Sequence, residues 1–73
     1  MDIKRGQMKL TSRQHEIAEL AALGLTNKLI ARQLGITEGT VKAHMRKILA
    51  RLGVSSRAAF AARWRLDRGD IRS

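Results

Sequence analysis

The chain has 73 residues, no Cys and no Pro, and its 15 Lys and Arg against six Asp and Glu give a formal net charge of +9. This length makes one small domain with no disulfide framework or thiolate metal site, which fits a reducing cytoplasm. No apolar run reaches the length of a membrane span or a signal-peptide core, and the cationic excess directs the search to a polyanion, nucleic acid first and an anionic membrane surface second.

One Phe, one Trp and no Tyr, within a 44% hydrophobic content rich in Ala and Leu, argue against a strand-rich fold and for an all-α one. Residues 1–9 are polar and basic, with Gly6 as a breaker, and read as a flexible leader or linker. Order is expected from Thr11, where Thr11-Ser12-Arg13-Gln14 matches a capping box. The first helix runs to about Leu23 with Ile17, Leu20, Ala21 and Leu23 as its apolar positions, and Gly24 stops it. Thr26 or Asn27 caps a short second helix that ends at Gln33 or Leu34 and buries Ile30, Ala31 and Leu34. Gly35 closes it, Ile36 enters the core from the turn, and Thr37 caps a third helix from about Glu38 to Leu52.

The faces of that third helix follow from its period of 100° per residue. With Val41 at zero, Met45, Ile48 and Leu52 lie within about 40° and Leu49 near 80°, which makes these five the inward stripe. The opposite arc holds Gly39, Thr40, Lys42, Ala43, Arg46, Lys47 and Ala50, and His44 sits on the shoulder. Cations interleaved with small residues let a backbone approach a duplex closely, and two helices around a Gly-centred turn are the layout that inserts a helix into the major groove. Ser55 or Ser56 caps a fourth helix through about Leu66, followed by a charged, frayed tail at 67–73. The predicted fold is a compact four-helix, all-α domain over residues 10–66.

Several blocks in order carry a closer resemblance. They are Leu10-Thr11-Ser12-Arg13, Glu16-Ile17, Gly24-Leu25-Thr26-Asn27-Lys28, Ile30-Ala31, the run from Leu34 to His44, and Leu52-Gly53-Val54-Ser55-Ser56-Arg57-Ala58. Together they resemble the LuxR-type (GerE-type) helix-turn-helix domain of bacterial transcriptional regulators. The resemblance implies that the second and third helices form the helix-turn-helix and that the third reads the major groove of double-stranded DNA. It implies base reading by Lys42, Ala43 and Arg46 and phosphate contacts from Thr26, Asn27, Lys28, Thr37, Thr40, His44 and Lys47. The helical wheel selects Lys42, Ala43, Arg46 and Lys47 independently.

In the family the fourth helix commonly makes a dimer contact, so Ala58, Ala61, Ala62, Trp64 and Arg65 are the candidate dimer or partner surface. This chain departs from the family pattern at Leu29, where Glu is usual, and at Ala43, often Asn, which offers only apolar contact such as to a thymine methyl. It departs also at Gln14, commonly Glu, and at Arg63 and Arg65, which flank Trp64.

Other readings remain beside these. Phe60 and Trp64 complete the core under the third helix, or else Trp64 is exposed and marks a homodimer or partner surface. Glu16 reads as a structural ion-pair or dipole contact, and Glu19 as surface. No cofactor is implied, and His15 and His44 lie on different helices without a carboxylate at ligand spacing, so no metal is either. With no nucleophile–base pair or phosphate loop, an enzyme is not expected. The rival in another class is a protein-interaction module that docks Leu29 and Trp64 on RNA polymerase or a partner regulator. The length fits either a stand-alone regulator or the C-terminal fragment of a response regulator.

Overall fold

The computed structural model describes residues 10–72, with side chains from 10 to 66. The expected basic leader at 1–9 lies outside the described residues. Four helices follow in order: α1 (Ser12–Ala22), α2 (Asn27–Leu34), α3 (Glu38–Leu52) and α4 (Arg57–Arg72). No strand occurs among the described residues, and the all-α expectation holds.

The helix starts are set by hydroxyl side chains. Thr11 Oγ1 accepts from the Gln14 amide at 3.1 Å while Gln14 Oε1 accepts from the Thr11 amide at 3.1 Å, which closes the expected capping box. Thr26 and not Asn27 caps α2, taking the Leu29 amide at 3.2 Å, and Thr37 caps α3 through the Thr40 amide at 3.1 Å. Ser56 rather than Ser55 begins α4, accepting from the Ala59 amide at 3.0 Å.

Two helix ends repeat one device. Gly35 and Gly53 both stand at φ 68°, a left-handed conformation that glycine adopts without a Cβ penalty. The next residue then bonds back into the helix: the Ile36 amide donates to Ala31 O and the Val54 amide to Leu49 O, each at 3.0 Å. This turns Ile36 and Val54 onto the core, so a polar chain reversal also supplies apolar contact.

The core unites all four helices through Ile17, Ala18, Ala21, Ile30, Ala31, Val41, Met45, Ile48, Leu52, Phe60 and Trp64. Of the expected inward stripe of α3, Val41, Met45, Ile48 and Leu52 are buried and Leu49 is half-buried. In α2, Leu34 is only partly buried against that core.

Three expectations need correction. Leu23 is 75% exposed: it keeps right-handed helical geometry as the α1 C-cap, and at 100° per residue it falls about 240° from Ile17, opposite the face that Ile17, Ala18 and Ala21 bury. Leu25, whose amide donates to Leu20 O at 3.2 Å, packs on the core instead. Trp64 is 3% exposed and so is not part of an outward dimer or partner surface. It stacks edge-on to His15 of α1 at 5.4 Å between ring centroids and lies 5.8 Å from Phe60, one turn earlier. Its Nε1–H has no hydrogen-bond partner among the described residues, so ring packing alone holds it. Finally, the α4 backbone continues to Arg72, past the expected end at Leu66 and through most of the expected tail.

Gln14 adds a buried polar side chain, 5% exposed, on the face of α1 that it shares with Ile17, Ala18 and Ala21. Its capping bond satisfies the acceptor that burial would otherwise strand.

Phe60 is fully buried where α4 meets the other helices. Phe60→Ala is therefore expected to destabilise by about 3–5 kcal/mol, a large share of the stability of so small a domain. Thr11→Ala, which opens the capping box, should cost about 1 kcal/mol. Urea unfolding followed by circular dichroism checks both, and equal losses for the two variants would contradict the account.

Candidate nucleic-acid interface

The candidate surface is built on α2 and α3, which pack against each other in the core and leave their polar faces outward. From Leu25 to Leu52 the sequence carries Lys28, Arg32, Lys42, Arg46, Lys47 and Arg51 against a single acid, Glu38. Glu38 stands in the first turn of α3, where a carboxylate offsets the positive end of the helix dipole.

Burial of the α3 stripe fixes how that helix is rotated about its axis. Lys42, Ala43, Arg46 and Lys47 are accordingly exposed, and His44 is half-buried on the shoulder, each where the wheel puts it. Gly39 and Thr40 extend the same outward face toward the start of α3. A Cβ added at Gly39 would meet nothing nearer than Thr37 Oγ1 at 3.9 Å.

The threonines have two duties. Thr37 Oγ1 accepts the Thr40 amide and donates to Thr40 Oγ1 at 2.9 Å. Thr40 thus has its hydroxyl hydrogen available for an acceptor outside the chain. Thr26 is likewise spent on its cap yet exposed, and Lys28 is exposed in the first turn of α2.

Asn27 is not free in the way the sequence suggests. Its Oδ1 accepts from Arg57 Nη1 at 2.6 Å, and Arg57 Nη2 donates to Leu25 O at 2.8 Å. A second arginine of α4, Arg63, donates from Nη1 to Leu52 O at 3.1 Å. The last helix thereby grips the start of α2 and the end of α3. Sequence reasoning missed both contacts, which span 30 and 11 positions and leave no local signature.

On α4, Ala58, Ala62 and Arg65 are exposed, together with Leu66 at 64%, while Ala61 is half-buried. On α1, Glu16 pairs with Arg13 at 3.2 Å, the structural ion pair expected of it, and Glu19 lies 3.9 Å from His15. No cluster of three or more metal-ligating side chains occurs among the described residues, and no described helix is long and apolar enough to cross a membrane.

The profile of the family described as bacterial regulatory proteins, luxR family, matches residues 8–63. Among known proteins, the chain is 46% identical over 61 residues to the nitrate/nitrite response regulator protein NarL of Escherichia coli K12, covering 84% of this chain and 28% of that one. The monoamine regulon transcriptional regulator of Klebsiella aerogenes is 44% identical over 54 residues, 74% of this chain and 24% of that one. The nitrate/nitrite response regulator protein NarP of Escherichia coli K12 is 43% identical over 60 residues, 82% and 28% respectively. The chain thus spans roughly a quarter of the length of these relatives. It belongs to the luxR family of bacterial regulatory proteins and carries that family's helix-turn-helix, a unit of DNA-binding transcription regulators.

Because the Gly39 Cβ position is open, Gly39→Ala should be accepted without strain and raise stability by up to about 1 kcal/mol through helix propensity. A thermal melt of the variant should move upward; a downward shift would show a close contact that the geometry does not contain.

Proposed function

We propose that this luxR-family domain binds a specific sequence of double-stranded DNA by laying α3 in the major groove. The observation that carries the reading is the outward arc of Lys42, Ala43, Arg46 and Lys47, held opposite a buried stripe that fixes its direction.

Roles follow from side-chain chemistry. The Arg46 guanidinium can bridge O6 and N7 of a guanine, Lys42 reaches a base edge or a phosphate, and Ala43 offers a methyl to the methyl of thymine. Thr26, Asn27 and Lys28 at the start of α2, with Thr37, Thr40, His44 and Lys47 around α3, contact phosphates and fix register. Phosphate contacts supply affinity common to every sequence, and base contacts discriminate.

One such module reads few base pairs, so the domain acts as a dimer on two half-sites about one helical turn apart. The exposed α4 face of Ala58, Ala62 and Arg65 is the surface we assign to that contact, with Ala61 at its margin and Trp64 excluded by its burial. The rival reading, docking on RNA polymerase or a partner regulator, loses Trp64 for the same reason and keeps Leu29, 47% exposed on α2.

Fluorescence-anisotropy titration against a random duplex pool at two salt concentrations, followed by selection and sequencing, tests the proposal. Affinity should fall with salt at a slope reflecting about five phosphates per monomer. Arg46→Ala should relax one motif position, losing about 1–3 kcal/mol of discrimination, and Lys47→Ala should weaken all sequences alike. Absence of binding at low salt would sink the DNA reading.

A further inference from the structure

We infer that Arg57 is a positioning residue for the DNA interface: it fixes the side-chain amide of Asn27 so that Nδ2 presents its hydrogens to a backbone phosphate. The inference rests on the duplex-binding reading above and adds to it a residue outside the helix-turn-helix.

The argument begins with what a guanidinium can do. It carries five N–H donors and no acceptor, so the Asn27 atom 2.6 Å from Arg57 Nη1 must be the carbonyl oxygen. That contact settles which way the amide is turned. With Oδ1 held by Arg57, Nδ2 is left as the donor, and among the described residues no acceptor takes its hydrogens. An asparagine free to flip presents an acceptor or a donor with equal ease; an acceptor facing a phosphate is repelled. Pinning Oδ1 removes the wrong orientation before DNA arrives, and a preorganised donor loses less rotamer freedom on binding.

Arg57 itself has no local reason to be where it is. It opens α4, at the positive end of the helix dipole, where a cation is disfavoured. The planar fork accounts for its position: Nη1 reaches Asn27 and Nη2 reaches Leu25 O at 2.8 Å, so one rigid group spans the turn that leads into α2. Asn27 is available for this because Thr26 performs the capping. Its neighbours on either side, Thr26 and Lys28, are exposed, so the amide lies in the same short stretch as two further phosphate-contact candidates. Lysine at position 57 would keep the charge but could not hold both acceptors in one plane.

The test compares the unmodified chain, Asn27→Ala, Arg57→Lys and the double variant, binding a fluorescein-labelled duplex of about two helical turns recovered from the selection. Circular dichroism confirms folding, and titrations are run below the lowest melting temperature. Each single variant should weaken binding about ten- to a hundredfold, as for loss of one hydrogen bond to a charged acceptor. The double variant should be no weaker than Asn27→Ala, and the salt slope should stay unchanged in all four.

A drop of about one in the salt slope for Arg57→Lys would mean that the arginine touches phosphate directly, and would overturn the proposal. So would additive losses, which would mark Arg57 as a general support of α2, or no loss in Asn27→Ala. In the unmodified chain, the Asn27 side-chain 1H–15N signals should shift on saturation with duplex; unmoved signals overturn the proposal without recourse to any variant. Failure of the unmodified chain to bind duplex would overturn the DNA reading together with it.

Discussion

Everything in this domain depends on one helix having to satisfy two environments at once. The apolar stripe of α3 is removed from water against the other helices, and that burial is the main source of stability available to a chain this short. Because the side chains of a helix are rigidly phased, burying Val41, Met45, Ile48 and Leu52 also decides where Lys42, Ala43, Arg46 and Lys47 point. The hydrophobic core and the cationic surface are two consequences of a single rotation. A change that turned α3 by one residue would bury a lysine and expose a valine together.

The same economy shows at the helix ends. Thr26 and Thr37 use their hydroxyls to hold the first turns of α2 and α3, and those first turns sit at the edge of the cationic face. A helix start exposes amide groups without intrahelical partners, which favours anions nearby. Capping hydroxyls and a nearby anion are therefore favoured at the same places, the first turns of helices. Gly35 and Gly53 serve the other ends: each lets the backbone reverse in a left-handed conformation and sends the next residue, Ile36 or Val54, inward.

Legibility in the sequence follows from how local each determinant is. The four helices, the Thr11–Gln14 capping box and the faces of α3 were readable because they depend on residues within a few positions of one another. Leu23 is apolar yet lies on the side of α1 opposite Ile17 and Ala21, so its hydrophobicity misleads where the helical period does not, and Leu25 after the turn takes the core position. Trp64 stayed ambiguous because its burial is decided by α1, through His15, almost fifty positions away. Gln14 reads as a cap, yet at 100° per residue it falls on the face of α1 that Ile17, Ala18 and Ala21 bury, so its burial follows from the helical period despite its polar side chain. The charged residues after Leu66 suggested a frayed end, yet charge does not stop a helix and no proline intervenes before Arg72.

The arginines of α4 show what local reasoning most easily overlooks. In sequence they look like additional positive charge, of a kind with Lys42 or Arg46. In the fold, Arg57 and Arg63 donate to Asn27, Leu25 O and Leu52 O, so they are framework as well as charge. A guanidinium suits this because it stays charged, forms directional bonds from a planar fork, and tolerates partial burial better than an ammonium. Net charge therefore overstates the cations offered to a polyanion. The cations that α2 and α3 leave exposed to solvent include Lys28, Lys42, Arg46 and Lys47.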